Sequence, residues 1–453
     1  EVAAAVRQRQ YVLLGTRSSI FLPHRDLGLI IIDEEHDTSY KQDNPSPRYN
    51  ARDCALMMGR IFSCPVILGS ATPSLESLYN TSAGRYELVP LTERYYEGED
   101  AQVEVIDTIA ERRKRGMVGS LSRKLIAHIH DTLERGEQVL VLRARKAYSP
   151  YVQCDSCGDM PRCPHCNVTL SYHKDRNRLV CHYCGHSEPY VMTCPKCGGN
   201  RVSVGTGTQK VEEEISALFP DAKVGRLDGD NVAQSAKTIS EFAQGSMDIL
   251  VGTQMVSKGF DFENLTLVAV IQSDSLLGQQ DFRADERAVQ LLEQLRGRGG
   301  GRGKQSLFVI QTSQPEHPVY SRLSSGYDFS TGELGMRSEF GFPPYTRLIG
   351  LVLKDTNLPR LEKLSSELSM VLARLSGGSP TIVANPKDSA LCVSFPYAPT
   401  VDKVSGESIR HIRLTLRRDR NLAALKTRIL AEIAAFEKGK SWSGHISVDV
   451  DPV

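Results

Sequence analysis

The sequence predicts an α/β fold, because short segments that are apolar throughout alternate with segments of helical periodicity. Residues 27–33 (LGLIIID) and 66–69 have the continuous apolar content of buried parallel strands, and residues 51–62 between them have a helical pattern. The same alternation returns over residues 121–312, where a cysteine-rich segment interrupts it. Strands that alternate with helices in this way favour a parallel sheet.

The remaining predicted elements follow from the same two patterns. Residues 11–16 (YVLLGT) predict one more strand in the first series. The second series predicts helices at 121–135, 209–218, 233–243 and 284–295 and strands at 138–142, 223–227, 248–252, 266–271 and 306–312. The C-terminal part predicts an α+β domain, with strands near 347–353, 381–384, 389–395 and 411–416 and helices at 359–375 and 421–437. These patterns divide the chain into an incomplete α/β segment (1–95), a charged linker (96–120), a second α/β domain (121–150 and 201–335), a cysteine-rich insertion (151–200) and the α+β domain (336–453).

Composition places the chain among soluble globular proteins of roughly two to four domains. It has 453 residues, of which 40% are hydrophobic and 24% charged. Its longest apolar runs have the length of a strand and fall well short of the roughly 20 residues that a membrane span needs. The net charge of +1 gives no global argument for nucleic-acid binding, so such an argument must be local. The chain does not begin with methionine, and we expect it to be a fragment or a processed product.

Eight of the eleven cysteines form four CxxC pairs within one short segment. A CxxC turn directs two thiolates toward one point about 2.3 Å away, which is half of a tetrahedral zinc site. We expect no signal peptide, and the other cysteines are scattered singly, which favours a reducing compartment over disulfides. Eight thiolates fill two zinc sites, so the nearby histidines are not needed as ligands, and spacing alone leaves the pairing open. The predicted ligands are Cys154, Cys157, Cys163, Cys166, Cys181, Cys184, Cys194 and Cys197.

Two motifs of the first α/β segment predict a site for a nucleoside triphosphate. Asp33-Glu34-Glu35-His36 follows directly on a buried strand, where an aspartate can hold Mg²⁺ and the next glutamate can orient a water against a γ-phosphate. Residues 69–73 (GSATP) end the next strand, and the hydroxyls of Ser70 and Thr72 are placed to sense the phosphate. Each motif alone is weak evidence for such a site, since acidic clusters after strands are common. The two motifs together at this spacing are strong evidence.

The second α/β domain supplies two further segments of this kind. Residues 252–262 (GTQMVSKGFDF) follow a strand and contain Gly259 and Asp261 in a loop suited to phosphate or sugar contacts. Residues 294–302 (QLRGRGGGR) end a helix with Arg298 and Arg302, either of which can reach a γ-phosphate held by another lobe. The alternative interpretation of the second segment is a flexible basic glycine loop without a catalytic role.

A polar loop after the acidic motif predicts contact with single-stranded DNA. It contains Tyr40, Lys41, Arg48 and Tyr49, and aromatic rings interleaved with cations can stack bases and hold phosphates. The alternative is an ordinary surface loop.

Together these motifs resemble the primosomal replication-restart helicases, the PriA family. The resemblance rests on DEEH, GSATPS, GTQMVSKGFDFEN, DFRADER and a degenerate QxxGRxGR interrupted by the eight cysteines. It extends over essentially the whole chain through PRYNARD (47–53), GTGTQKVEEE (205–214), PEHPVY (315–320), EFGFPPYTRL (339–348) and VDVDP (448–452).

The resemblance implies two RecA-like helicase lobes, the first incomplete, with an inserted zinc module and a C-terminal α+β domain. It implies an ATP-dependent helicase that moves 3′→5′ on single-stranded DNA, recognises stalled forks and starts primosome assembly in the bacterial cytoplasm, at the nucleoid. Implied partners are forked and single-stranded DNA, primosome and helicase-loading proteins and single-stranded DNA-binding protein, with no membrane and a monomeric state. Implied cofactors are ATP with Mg²⁺ and two zinc ions.

The resemblance also implies roles for particular residues. Asp33, Glu34, His36, Arg298 and Arg302 take the catalytic roles. Nucleotide contacts fall to Asp33, Glu34, Ser70, Thr72, Gly259 and Asp261. Zinc pairing is nested, with Cys154, Cys157, Cys194 and Cys197 on one ion and Cys163, Cys166, Cys181 and Cys184 on the other.

Three departures bear on activity. The 453 residues contain no GxxxxGK[ST] loop to cradle phosphates, so we expect the chain by itself to hydrolyse ATP poorly or not at all. Residues 297–302 (GRGGGR) replace the family's GRxGR, and residues 144–148 (ARKAY) replace its NRRGY. The competing hypothesis is a non-catalytic, zinc-stabilised scaffold that binds DNA or protein. A zinc-ribbon transcription factor is disfavoured, because it leaves DEEH and GSATPS unexplained.

Overall fold

A computed structural model describes most of the chain. The described residues are 11–91, 100–144, 151–165, 168–173, 176–181, 185–203, 208–227, 232–253, 262–298, 305–382, 389–399, 401–439, 442 and 446–452. They divide into two compact units. Unit 1 comprises residues 1–87, 183–185 and 334–453, and unit 2 comprises residues 88–182 and 186–333.

Helices and strands alternate along most of the described part of the chain. The α-helices are α1 (Ala51–Phe62), α2 (Leu75–Ser82), α3 (Thr108–Arg113), α4 (Arg123–Glu134), α5 (Thr208–Leu218), α6 (Val232–Ala243), α7 (Asp274–Leu277), α8 (Ala284–Arg296), α9 (Pro318–Ser325), α10 (Phe329–Phe340), α11 (Leu358–Arg374) and α12 (Leu422–Gly439). The strands as far as the end of unit 2 are β1 (Ile30–Ile32), β2 (Val66–Leu68), β3 (Gln102–Asp107), β4 (Met117–Val118), β5 (Leu121–Ser122), β6 (Gln138–Arg143), β7 (Val152–Cys154), β8 (Ser171–His173), β9 (Arg178–Val180), β10 (Ser187–Pro189), β11 (Arg201–Ser203), β12 (Val224–Leu227), β13 (Ile249–Gly252), β14 (Leu265–Ile271) and β15 (Leu307–Thr312). The C-terminal strands are β16 (Thr346–Asp355), β17 (Leu391–Val393), β18 (Lys403–Val404), β19 (Glu407–Arg417) and β20 (Ile446–Val450).

A parallel sheet forms the centre of unit 2. Its strand order is β12-β13-β6-β14-β15-β3, and every neighbouring pair is parallel. Helices α4 and α5 cover one face through residues such as Leu125 and Ile215, and α6 and α8 cover the other through Phe242 and Leu292. Every residue of β6 and β14 is buried, because helices pack on both faces. This double burial explains why these strands are apolar throughout instead of alternating.

The edge strand β3 was not predicted from the sequence. Residues 102–107 lie within the predicted linker 96–120, yet they pair with β15 in parallel over the whole strand, from Gln102 opposite Leu307 to Asp107 opposite Thr312. The strand is only partly buried apart from Ile106, as an edge position allows. Its polar and apolar residues alternate, as is typical of an edge strand, whereas the central strands are apolar throughout.

The cysteine-rich segment folds as two small antiparallel sheets within unit 2. Strand β11 pairs with β7, and β8, β9 and β10 form a three-stranded meander. Side-chain hydrogen bonds fix this segment to the parallel-sheet domain. Gln153 donates to Ser313 Oγ at 2.7 Å, Thr169 donates to the carbonyl of Leu277 at 3.2 Å, and Gln280 donates to the carbonyl of Val180 at 3.0 Å.

Unit 1 joins the acidic-motif segment to the C-terminal α+β domain. Strands β1 and β2 form a two-stranded parallel sheet that packs on α1, where Ala55 is fully buried. The C-terminal domain is an antiparallel sheet in the order β17-β19-β16-β20, with α11 and α12 packed on its apolar face. Helix α1 begins where the Asn50 side chain accepts from the backbone N–H of Arg52, which is a standard N-cap.

Most predicted elements are confirmed, and two are corrected. The predicted helix 51–62 has the bounds of α1. The predicted strand 11–16 is wrong: Val12 and Leu14 are about 95% exposed, and among the described residues no strand pairs with this segment. The predicted strand 381–384 is reduced, within the described residues, to a bridge between Thr381 and Ser394. Among the described residues, no helix combines the length and the apolar composition required to cross a bilayer.

Candidate functional site

The acidic motif and the GSATP motif meet at the carboxyl ends of β1 and β2. These strands are parallel and in register, with Ile32 opposite Leu68. Gly69 donates to the carbonyl of Ile32 at 2.8 Å, and Glu35 N–H donates to the carbonyl of Gly69 at 3.0 Å. A Cβ atom at position 69 would lie 3.9 Å from Asp33 Oδ1. The pairing therefore places small and acidic residues of both motifs side by side at one edge of the sheet.

His36 connects the two motifs through its ring nitrogens. Its Nδ1 lies 2.7 Å from Ser70 Oγ, and its Nε2 lies 3.5 Å from Thr72 Oγ1. Thr72 N–H donates to Ser70 Oγ at 3.0 Å, so the two hydroxyls are held together. The imidazole side chain is 6% exposed and lies 3.6 Å from a carboxylate oxygen of Glu34. The ring therefore links the acidic motif to the hydroxyls of the second motif.

Glu34 has a left-handed backbone conformation and a carboxylate oxygen without a hydrogen bond among the described residues. Its φ of 48° lies in the left-handed region, which costs a non-glycine residue on the order of 1 kcal/mol or more. Its N–H donates to Asp33 Oδ1 at 3.0 Å, which stabilises the turn. Glu34 Oε2, the oxygen that lies 3.6 Å from His36 Nδ1, is enclosed and accepts no hydrogen bond from any described residue. Strained residues with an unsatisfied polar atom are typical of functional positions.

The carboxylate of Glu35, unlike that of Glu34, is buried within a network of hydrogen bonds. Its side chain is 1% exposed and accepts from Arg52 Nη1 at 2.9 Å, from Ser74 N–H at 2.6 Å and from Ser74 Oγ at 3.1 Å. Burial alone would lower the pKa of Arg52, but the carboxylates of Asp53, Glu35 and Glu76 outweigh it and raise that pKa above its ordinary value. Glu35 therefore ties β1 to α1 and to the start of α2. This network was not predicted from the sequence, although Arg52 lies in the PRYNARD segment that carried part of the resemblance.

The aromatic loop is attached to the acidic motif by Tyr40. Its hydroxyl donates to the main-chain carbonyl of Asp33 at 2.6 Å. Burial and then the charge of Asp33 raise the pKa of Tyr40, so the phenol stays protonated and remains a donor. Tyr49 packs edge-to-face on Phe21 with ring centroids 4.6 Å apart. The loop and the acidic strand end thus form one connected piece.

The two cations of this loop are directed into the protein. Lys41 is buried, and its Nζ donates to the carbonyls of Arg48 at 3.0 Å and Val450 at 2.6 Å. The same nitrogen lies 2.8 Å from Asp449 Oδ1, and Arg48 Nη1 lies 3.2 Å from Asp449 Oδ2. Asp449, in the last strand, therefore neutralises Lys41 and Arg48, the two cations that were predicted from the sequence to contact DNA. Of the two, Arg48 is the more accessible, with 23% of its side chain exposed.

The predicted site residues of the second domain are only partly described. Arg298 lies two residues beyond the end of α8 and is half-buried, with its N–H donating to the carbonyl of Leu295 at 3.1 Å. Gly259, Asp261 and Arg302 lie outside the described residues.

Four cysteines of the inserted segment form a cluster with the dimensions of a zinc site. Cys154 Sγ lies 3.5 Å from Cys197 Sγ, and Cys157 Sγ lies 3.7 Å from Cys194 Sγ. All four sulfurs lie within 4.8 Å of one another. A zinc ion bound by four thiolates at about 2.3 Å sets sulfur–sulfur separations of about 3.8 Å, so these residues fit the metal.

Backbone geometry explains why each of these CxxC pairs forms a metal-binding turn. Gly158 and Gly198 follow the second cysteine of each pair with φ of 75°, a conformation that favours glycine. Ser156 N–H and Gly199 N–H each lie 3.4 Å from a sulfur, on Cys154 and Cys197 respectively. Burial works against ionisation of Cys194, but the main-chain N–H groups of Lys196 and Cys197 overcome it and lower its pKa to about 7. These two N–H groups favour the thiolate of Cys194, the form that binds zinc, whereas burial raises the pKa of Cys157.

The antiparallel pairing of β7 with β11 closes this cluster. It places Cys154 opposite Arg201, and so brings the beginning of the inserted segment to its end. Of the other four cysteines, Cys163 and Cys181 are buried, while Cys166 and Cys184 lie outside the described residues. Cys163 N–H donates to the carbonyl of Val168, and Cys181 N–H to that of His186, both at 2.8 Å. The structure thus shows the first ligand set complete and half of the second.

Comparison with known proteins gives the class of protein. Residues 196–303 match the helicase conserved C-terminal domain. Residues 163–189 match the cysteine-rich region domain of PriA DNA helicase, and this match spans the second set of four cysteines. Unit 2 therefore contains a helicase conserved C-terminal domain and a segment similar to the zinc ribbon of PriA DNA helicase.

Curated relatives give the family. The chain is 36% identical over 453 residues to the replication restart protein PriA of Bacillus subtilis, with 98% of this chain and 54% of that protein covered. It is 34% identical over 450 residues to the PriA protein of Rickettsia felis, with 97% of this chain and 66% of that protein covered. The chain belongs to the PriA family of replication restart proteins, and it spans about half the length of the first of these relatives.

A solved structure of the helicase MrfA bound to DNA is also similar in part. The matched region covers 67% of this chain and 34% of the MrfA chain, with 12% sequence identity and a TM-score of 0.36.

Proposed function

We propose that the chain is part of an ATP-dependent 3′→5′ DNA helicase that recognises stalled forks and starts primosome assembly. The observation that carries this proposal is the contact between the two motifs of unit 1. His36 bridges the acidic strand end to the hydroxyl of Ser70 at 2.7 Å, and Glu34 beside it keeps an unsatisfied carboxylate oxygen. An acid that holds Mg²⁺ beside a residue that orients the attacking water is a recurring arrangement in enzymes that transfer a phosphoryl group to water.

Roles for the site residues follow from this proposal. Asp33 holds Mg²⁺, and Glu34 orients the attacking water. His36, Ser70 and Thr72 transmit the state of the γ-phosphate. Gly259 and Asp261 contact the nucleotide from the second lobe, and Arg298 or Arg302 reaches the γ-phosphate.

The aromatic loop is proposed to report DNA occupancy to the ATP site. The bond from the hydroxyl of Tyr40 to Asp33 supports this, because a base stacked on the loop would shift the residue that holds Mg²⁺. Tyr40 and Tyr49 are the proposed stacking residues. Lys41 and Arg48 contact phosphate only after release from Asp449, so their contribution requires the last strand to move.

We further propose two zinc ions in the chain, one on each nested set of four cysteines. The first set has the spacing of a tetrahedral site. The second is supported by the match of the cysteine-rich region over residues 163–189. Forked and single-stranded DNA, single-stranded DNA-binding protein and the primosome and helicase-loading proteins are the proposed partners.

The substitution Glu34→Gln tests the proposal. Because the sequence contains no GxxxxGK[ST] loop, the assay compares this chain with a chimera that restores the part of the Bacillus subtilis relative that the chain does not match. We expect DNA-stimulated ATP hydrolysis in the chimera only. Glu34→Gln should lower its turnover at least 100-fold while fork affinity stays within a factor of two. Glu34 is not the water-orienting residue if the substituted chimera keeps its turnover.

The alternative candidate function is a non-catalytic scaffold. A chain that binds DNA without hydrolysing ATP would act as a zinc-stabilised scaffold. A chimera that binds forks tightly and shows no DNA-stimulated ATP hydrolysis would support the scaffold over the helicase.

A further inference from the structure

A cleft inside unit 2 has no role in the functions proposed above. It lies between the zinc-bearing segment and the loop that follows β15, and its volume is about 370 Å³. Its walls include Asp159, Glu188, Lys196, Arg201 and Gln314. The first three lie on the zinc-bearing segment, Arg201 begins β11, and Gln314 follows the parallel sheet. Groups from separate elements therefore surround one space.

Arg201 has donor capacity that the protein does not use. The residue is 9% exposed, and its Nε is enclosed without a hydrogen-bond partner among the described residues. Its Nη2 lies 3.7 Å from Asp159 Oδ2, which is an ion pair but exceeds hydrogen-bond distance. Asp159 binds Lys196 more closely, at 2.5 Å. A guanidinium buried to this extent normally has hydrogen-bonded acceptors on its fork.

Gln314 provides a second unused donor in the same wall. Its Nε2 is enclosed and has no partner among the described residues. Its backbone is fixed, because Gln314 N–H donates to Thr312 Oγ1 at 3.0 Å and Thr312 Oγ1 donates to the buried carboxylate of Asp274 at 2.6 Å. Leaving a buried donor unpaired costs about 1–3 kcal/mol, so two such donors in one cleft indicate an acceptor that occupies it.

We propose that this cleft binds one phosphate group of single-stranded DNA, with Arg201, Lys196 and Gln314 as donors. This inference rests on the DNA binding proposed above and adds a contact in the zinc-bearing half of the helicase domain. Donors that converge from three elements suit the several oxygens of a phosphate, and a guanidinium binds phosphate in two-pronged fashion. Asp159 and Glu188 in the same walls repel further phosphates, so the cleft holds a single group and does not continue as a track.

Salt-dependent binding of a fluorescein-labelled oligo(dT) to the zinc-loaded chain tests the inference. Each phosphate contact on a single strand contributes about 0.7 to the slope of log affinity against log salt concentration. We expect Arg201→Gln to reduce the slope by about 0.7 and to weaken binding roughly tenfold at low salt, as the loss of a charged hydrogen bond predicts. Gln314→Leu, which keeps the charge, should weaken binding and leave the slope unchanged.

Arg135→Gln is the matched control. Arg135 also belongs to unit 2, but its side chain is 54% exposed and pairs with Glu137 away from the cleft, so the slope should not change. Zinc content is measured on every variant, since Arg201 lies opposite Cys154 in the β7–β11 pair. Lys196→Gln removes a positive charge from a side chain that is 72% exposed, so this substitution should leave the fold intact.

The outcomes separate this inference from the function on which it rests. Failure of the unsubstituted chain to bind the oligonucleotide overturns DNA binding itself. Binding that is intact in Arg201→Gln and Lys196→Gln, with full zinc content, overturns only the phosphate cleft. An acidic peptide that binds in an Arg201-dependent manner while the oligonucleotide does not would assign the cleft to a protein partner and also overturn it.

Discussion

Replacing Arg52 by glutamine should open the acidic-motif segment while leaving the rest of unit 1 folded. The substitution leaves the carboxylate of Glu35, whose side chain is 1% exposed, without its cation. Breaking a buried ion pair by removing one partner costs about 3–5 kcal/mol. Two donors from Ser74 remain on Glu35 and the Arg52 side chain is 16% exposed, so we expect the lower end, about 3 kcal/mol.

Hydrogen–deuterium exchange measures this cost locally. At 1.4 kcal/mol per factor of ten, about 3 kcal/mol corresponds to an increase of about 100-fold in the exchange of amides in β1 and the first turn of α2. Arg60→Gln is the matched control, because Arg60 is an exposed arginine on the same helix and should change exchange by less than about threefold. The pair Glu35→Gln with Arg52→Gln should recover part of the loss, since no buried charge remains. Unchanged protection in Arg52→Gln would show that Glu35 is held by Ser74 alone and would refute the network.

The other predictions concern zinc and acid stability. Cys154→Ser should lower the zinc content of the purified chain from two ions to one, as measured by mass spectrometry of the metal; a content that stays at two would contradict the assignment of Cys154 as a zinc ligand. The Arg360 guanidinium, with the N–H of Asn357 and the indole of Trp442, lowers the pKa of Asp355 to about 2. Because this folded-state pKa lies below the unfolded value of about 3.9, the stabilisation is complete above about pH 4 and is lost as the pH falls toward 2. Trp442 is the only tryptophan in the sequence, so its fluorescence during urea unfolding reports this region. Wild type should lose about 1–2 kcal/mol between pH 4 and pH 2, and Asp355→Asn should lose less than half of that; parallel losses in the two proteins would exclude Asp355 as the source.

Local pattern was enough to predict the central elements of unit 2. Strands such as β14 are buried on both faces, so their residues must be apolar throughout, and the sequence shows this directly. Helix α1 was predicted with its observed bounds from its helical pattern, and the structure shows that Asn50 caps its start. The pattern failed at residues 11–16, where an apolar run has no partner strand among the described residues, and at β3, where an edge strand carries charges.

The sequence predicted which kinds of site are present, but it did not predict which residues contact one another within them. The CxxC spacing identified zinc ligands because two thiolates in one turn have few other uses, yet spacing left the pairing open. Likewise, DEEH contains two adjacent glutamates, and nothing local shows that Glu34 keeps an unsatisfied oxygen while Glu35 binds Arg52.

Most of the elements, the candidate metal ligands and the acidic motif could be recognised in the sequence, because each depends on residues a few positions apart. Only the tertiary structure decided what those residues contact. Lys41 and Arg48 have the composition of a DNA-binding loop, but both pair with Asp449 at the other end of the chain. Cys154 joins Cys197 only because β7 pairs with β11. Such contacts are fixed by the packing of distant segments, and short-range periodicity carries no information about them.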